Sequence, residues 1–197
     1  MATDIGLIIK NLLAFYDFGG KTVVSVGAGG GQMIAYAEPA KKVIAIDCDD
    51  GAVARLKDNL QKGPYLNKFD VMKADFYDVS VKGDVVLFEI CLHEMTDPVL
   101  ALKKAKSIAK DVVVYDHLPG RWSFYTAETE KVERSWKAVH TLPVRKEAKF
   151  DAIQVFKDYN EIYEKLKVLG EPSASRIKEF LNTKDFTIPM PYAMALI

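Results

Sequence analysis

Three kinds of residue in this sequence could do chemistry, and they recur at similar places along it. Glycines come first: "VVSVGAGGG" at 23–31 ends an apolar, β-branched run in Gly27, Gly29, Gly30 and Gly31. Glycine frees the backbone and lets a ligand lie against bare main chain, so such a turn suits a cofactor. Carboxylates come next, each closing an apolar run: Asp47 after "VIAI", Asp75 after "VMKA", and Glu89 in "DVVLFEI". A carboxylate is acceptor-only with two oxygens, which fits it to hydroxyl and amino donors. Two of the three histidines, His93 and His117, also follow such runs, and imidazole titrates near neutrality. The two cysteines, Cys48 and Cys91, lack metal-ligand spacing, so no metal is expected.

The elements that must position these residues alternate. "TVVSV" at 22–26, "VIAID" at 43–47, "FDVMKAD" at 69–75, "DVVLFEI" at 84–90 and "DVVVYD" at 111–116 read as strands, the third more weakly. The fourth is apolar almost throughout, as a strand covered on both faces should be. Between them, "DDGAVARLKDNL" places Val53, Leu56 and Leu60 on one helical face. "TDPVLALKKAKSIA" opens with the N-cap candidate Asp97 and a proline at the first helical position. Alternation from 22 to 116 predicts an α/β fold with a doubly wound, mostly parallel sheet and a helical insertion after the fifth strand. Ligands bind at the carboxyl ends of such strands, near the topological switch point, where all the residues above fall.

The flanking segments divide a single 1–197 domain further. Residues 1–20 form an amphipathic N-terminal helix, and 21–117 form the cofactor-binding core. Residues 118–160 are a substrate-side insertion, with Tyr125, Val132, Trp136 and Val139 at helical spacing in 121–140. Residues 161–197 supply C-terminal helices and strands. "TLPVRKEAKFDAIQVFKD" has no clear assignment, and "FTIPMPYAMALI" reads as one or two strands divided near Pro189 and Pro191. Those prolines favour an edge or a turn over a sheet centre.

The glycine turn decides between cofactors. Counting from Gly27 reaches Gln32, where the dinucleotide fingerprint needs a small residue, and counting from Gly29 reaches Ile34. The stretch satisfies G-x-G-x-G instead. With Asp47, "KADFYD" and "LHEMTDP" in order, residues 20–116 resemble the class I S-adenosylmethionine (SAM)-dependent methyltransferases, in particular small-molecule enzymes of the quinone-biosynthesis type. The resemblance implies a Rossmann-like methyltransferase fold and SAM as cofactor. It implies that Gly27, Ala28, Gly29 and Gly31 bind the cofactor, and that Asp47 accepts from the ribose hydroxyls with Cys48 at the adenosine wall. Asp75 would meet the adenine amino group with Phe76 beside the ring, and Glu89 the methionine part. Ser25 stands where the family often has an acid.

The expected reaction is an in-line displacement at the sulfonium methyl, which needs positioning and exclusion of water more than acid catalysis. His93 is the candidate base for an acceptor carrying a proton, and His117 and Trp122 are candidates for the substrate wall. Cys91 reads as a small buried side chain rather than a nucleophile. Acidic and basic residues number 27 each, which disfavours nucleic acid and favours a small-molecule methyl acceptor. Without a leader, a membrane span or disulfide spacing, a cytoplasmic setting is expected. The alternatives are a nicotinamide-dependent oxidoreductase, an aminopropyl transferase and a non-catalytic SAM-binding partner subunit. The apolar C-terminus could pair within the chain or with another chain, so oligomeric state stays open.

Overall fold

The computed structural model describes residues 4–197, so the first three residues of the expected N-terminal helix lie outside it. Asp4 caps helix α1 (Ile5–Phe15) by accepting from the Leu7 amide, and Ile8, Leu12 and Phe15 bury one face. The core follows as β1 (Thr22–Val26), β2 (Lys42–Asp47), α2 (Asp50–Lys62), β3 (Phe69–Lys73), β4 (Val85–Glu89), α3 (Pro98–Ile108) and β5 (Asp111–His117), with α-helices after β2 and β4 but not after β1 or β3. Asp49 and Asp97 cap α2 and α3 as N-cap carboxylates do. After β5 come α4 (Arg121–Tyr125), α5 (Thr129–Val139), β6 (Lys146–Phe150), β7 (Ile153–Phe156), α6 (Tyr159–Leu166), α7 (Glu171–Arg176), β8 (Phe186–Pro189) and β9 (Tyr192–Leu196).

Seven strands make one sheet in the order β3-β2-β1-β4-β5-β9-β6. The pairings among β1–β5 are parallel, and β9 runs antiparallel to both β5 and β6. The chain leaves β1 toward β2 on one side and returns to β4 on the other, so the switch point lies between β1 and β4. Apolar layers cover both faces. Val23, Leu87 and Tyr115 pack with α1 and α2 on one face. Val24, Phe88 and Val114 pack with α3 and α5 on the other. A separate ribbon of β7 and β8, with α4, α6 and α7, caps the first face, where Phe156, Phe180 and Phe186 stack on one another.

The structure refines the sequence reading at several points. The glycine turn leads into bends and a single 3-10 turn (Ile34–Ala37), so the expected alternation lapses between β1 and β2. The helical spacing over 121–140 is two helices, broken at Ala127, whose φ is +62°. The unassigned stretch after residue 141 holds β6 and β7. The proline-rich end forms two strands divided at the prolines, as expected: Pro189 closes β8 in the two-stranded ribbon and Pro191 lies between the strands, but β9 itself enters the sheet interior. Both prolines precede β9, so residues 192–196 keep every amide and ladder with two neighbours. The apolar C-terminus thus pairs within its own chain. No helix among the described residues is long and apolar enough to cross a membrane.

Candidate active site

The glycine loop leaves β1 at the switch point with Gly27, Gly29 and Gly31 all at positive φ. At Gly27 the requirement is also steric: a Cβ there would lie 2.4 Å from that of Cys91. At Gly29 the surroundings are open and the φ of +57° is what demands glycine. Asp47, at the end of β2, ties the loop down. One carboxylate oxygen accepts from the Gly29 amide at 2.8 Å and the other from the Asp49 amide at 2.9 Å. Across the switch point Ile90 follows β4 at φ +51°, a costly conformation for a β-branched residue. Its amide is held by the Tyr115 carbonyl at 2.8 Å.

Two cavities meet at this point and share Gly27 and Ile90 in their walls. The first, about 370 Å³, is bounded by Asp47, Cys48, Asp75, Phe76, Tyr77, Cys91 and Glu94. The second, about 430 Å³, is bounded by Gly27, Ala28, Gly29, Glu89, His117, Trp122, Gln154 and Lys165, with Ile5, Ile8, Met33 and Met190 adding apolar surface. Ten of the expected site residues therefore line one cavity or the other, and Gly31 sits behind them against Leu56. In the first cavity Asp75 accepts from the Tyr77 amide, closing an Asx turn, and the Phe76 ring packs edge-on against Phe88. Cys48 is exposed; the Cys91 thiol donates to the Val26 carbonyl at 3.1 Å, and burial pushes its pKa well up.

Glu89 accepts a short hydrogen bond from the Ser25 hydroxyl, so Ser25, unusual by sequence, has a partner. Burial raises the Glu89 pKa to about 7; the neighbouring Ser25 and Tyr36 hydroxyls oppose the rise and the charge of Asp47 adds to it. The Tyr36 hydroxyl makes no sound hydrogen bond of its own.

The two histidines differ sharply. His93 lines neither cavity and is only 3% exposed. Its Nδ1 is 2.6 Å from Asp116 Oδ1, its amide donates to Asp116 Oδ2 at 3.0 Å, and its Nε2 lies 3.4 Å from Glu94 and 3.9 Å from Glu128. Burial works to lower its pKa. The bonds to Asp116 and Glu94, with the charges of Asp116 and Glu128, overcome this and raise it to about 10. At neutral pH the ring is an imidazolium with no lone pair to act as a base. Lys131 completes the network, 2.7 Å from Glu94. Burial and the adjacent Glu94 raise Glu128 to about 7, whereas the bond from His93 holds Glu94 well below the carboxylate range. His93, Glu94 and Glu128 are also the one cluster among the described residues with donors close enough together for a metal ion. The network neutralises itself with His93 and Lys131 and does not call for one.

His117 is the reverse case. Its ring lines the second cavity, its Nδ1 is buried without a partner, and burial lowers its pKa to about 4. Asp116 Oδ1 accepts from its backbone amide at 2.8 Å, so one fully buried carboxylate organises both histidines. Trp136 belongs to the core: its indole N–H donates to the His117 carbonyl at 2.5 Å.

Sequence reasoning missed Glu128, Gln154 and Lys165, and gave Asp116 a place at the cleft but no role. Only Asp116 carried a signal, its place at a strand end beside His117.

Comparison with known proteins agrees with this geometry. Residues 24–112 match the family model described as a methyltransferase domain. A dimethyladenosine transferase of the yeast Yarrowia lipolytica is 27% identical over 132 residues, covering 59% of this chain and 40% of that protein. The chain thus spans less than half of that relative. Among solved structures, the YcgJ protein of Bacillus subtilis superposes with a TM-score of 0.71 at 13% identity, covering 98% of this chain and 96% of that one. The magnesium protoporphyrin IX methyltransferase of Synechocystis PCC 6803, solved with S-adenosylhomocysteine (SAH), gives 0.57 at 13% identity and 97% and 80% coverage. The precorrin 8w decarboxylase of Methanobacterium thermoautotrophicum gives 0.62 at 14% identity and 96% and 88% coverage. At such identities these likenesses speak to fold alone.

Proposed function

We propose that the protein, whose residues 24–112 match a methyltransferase-domain family model, is a class I SAM-dependent methyltransferase that methylates a small molecule held in its second cavity. The observation that carries this reading is the meeting of two unlike cavities over one glycine loop. One carries the carboxylates of Asp47, Asp75 and Glu94, suited to a nucleoside, and the other is bordered by apolar side chains of α1 and the cap. The residues fit the cofactor on structural grounds. A side chain at Gly27 would collide with Cys91, so the main chain there is kept bare. Asp47 keeps lone pairs beyond the two that its backbone bonds use, which suits ribose hydroxyls. Asp75, Phe76 and Cys48 would surround the base. Glu89 would face the methionine part, where an arriving ammonium restores the ionised carboxylate that burial disfavours.

When bound, the cofactor supplies a methyl group on a positively charged sulfur. The chain's own contribution is to hold the acceptor in line and to keep water out. His117, unprotonated at neutral pH, would accept a hydrogen bond from an acceptor hydroxyl or amine, with Trp122 as an apolar wall. His93 becomes a positioning residue in this reading. It braces Asp116, which in turn holds the His117 backbone.

A second reading, methylation of adenine in a nucleic acid, is favoured by the Yarrowia lipolytica relative. The balanced charge and the apolar lining of the second cavity by Ile5, Ile8, Trp122 and Met190 weigh toward a small acceptor. Two free cysteines accord with a reducing compartment such as the cytoplasm.

Calorimetric titration with SAH and separately with NADH tests the cofactor. Micromolar SAH binding, absent for NADH and weakened at least tenfold by Asp47→Ala, is the expected result. NADH binding alone would overturn the assignment. Methyl incorporation into RNA rather than into small acceptors would replace the first acceptor reading with the second.

A further inference from the structure

The second cavity contains a cation with no counter-ion. Lys165, on α6, reaches the wall between the cap and the sheet. Its ammonium lies 4.8 Å from the Trp122 ring centroid and 5.6 Å from that of Phe156. One proton goes to Gln154 Oε1 at 2.7 Å. No carboxylate among the described residues forms an ion pair with it, although most of the lysine is removed from water. Burial alone lowers its pKa to about 8, with no opposing charge to restore it. Lys131 and Lys42, by contrast, each form an ion pair with a carboxylate.

Gln154 is left equally short. It is 3% exposed, and because an ammonium can only donate, the amide oxygen must face Lys165. That orientation turns the amide nitrogen to Met190 Sδ, 2.9 Å away, and a thioether is a weak acceptor. Ammonium and amide thus present donors to a cavity lined there by Trp122, Ile5, Ile8 and Met190; beyond the one bond to Gln154 Oε1 the ammonium has no acceptor, and the amide nitrogen has only a thioether. A buried donor set of this kind is costly until an anion fills it.

We infer that Lys165 and Gln154 form an anion subsite, and that the methyl acceptor is an apolar molecule carrying a carboxylate. This rests on the methyltransferase reading above. The cofactor's own α-carboxylate is the other source of the same chemistry. Glu89 argues against it. The carboxylate lies beside the glycine loop, and an amino acid held there by its ammonium leaves Lys165, over the Trp122 ring, to the second ligand.

The test uses the full chain with SAH present and two probes of one shape, 1-naphthylacetate and the uncharged 1-naphthylacetamide. Binding is read by calorimetry for the wild type, Lys165→Met, Lys165→Arg and Gln154→Leu. The expected result is at least a tenfold preference for the carboxylate in the wild type. The preference falls below twofold in Lys165→Met, is retained in Lys165→Arg and is reduced in Gln154→Leu. SAH affinity should stay within twofold throughout. Equal binding of the two probes, no binding of the carboxylate, or a preference that survives Lys165→Met would overturn the inference. A tenfold loss of SAH affinity in Lys165→Met would do so as well, by assigning the subsite to the cofactor. Failure of the wild type to bind SAH at all is a separate result and would remove the underlying function.

Discussion

The two sides of the cleft satisfy their charges in opposite ways. On the sheet side every carboxylate has an internal partner. Asp47 takes two backbone amides, Asp116 takes two amides and an imidazolium, and Glu94 takes Lys131 and His93. On the cap side Lys165 rests on two aromatic rings and one amide oxygen. The contrast separates what the fold needs from what a ligand supplies. Groups paired within the chain contribute to stability whether or not anything is bound, whereas an unpaired buried charge contributes little until its counter-ion arrives.

That comparison can be broken most directly at His93. His93→Gln should leave Asp116 buried without its cation and cost about 3–5 kcal/mol in urea unfolding near pH 6. The sign of its pH dependence follows from a folded pKa of about 10 against an ordinary value of 6.5. The imidazolium's contribution is full below pH 6.5 and is lost as pH rises toward 10. The difference between wild type and variant should therefore shrink over that interval, and a constant difference would show that charge is not what His93 provides. Gly27→Ala is the next largest. A Cβ against Cys91 at a φ of +69° should cost about 3 kcal/mol and remove SAH binding. Retention of both would mean that the loop moves freely and is not pre-built. Smallest should be Lys165→Met, which sharpens the contrast by its silence. Cation–π contacts are lost while a desolvated charge is relieved, so its unfolding free energy should change by less than about 1 kcal/mol. A larger loss would make Lys165 a structural cation like Lys131.

The sheet side was legible in the sequence because its chemistry is local to strand ends. A buried strand must be a short apolar run, and in a parallel sheet all such runs end on one side. Gly27, Asp47, Asp75, Glu89 and His117 were therefore gathered by counting along the chain, and the cavities hold them all. His93 fitted the same rule and was misjudged, since position at a strand end says nothing of protonation. Its state depends on Glu128, 35 residues onward and on another element, and on Asp116 across the β4–β5 pairing.

Sequence alone determined the five parallel strands, helices α2 and α3 and the glycine turn's preference for G-x-G-x-G. Each is a matter of periodicity or of backbone freedom over a few residues. Tertiary structure alone decided where the proline-rich tail goes, which histidine keeps a lone pair and what stands opposite Lys165. The tail enters the sheet because β9 presents five consecutive residues without proline to β5 and β6. The charges settle as they do because electrostatics inside a protein depends on distance and burial between segments far apart in sequence, and neither is written in residue order.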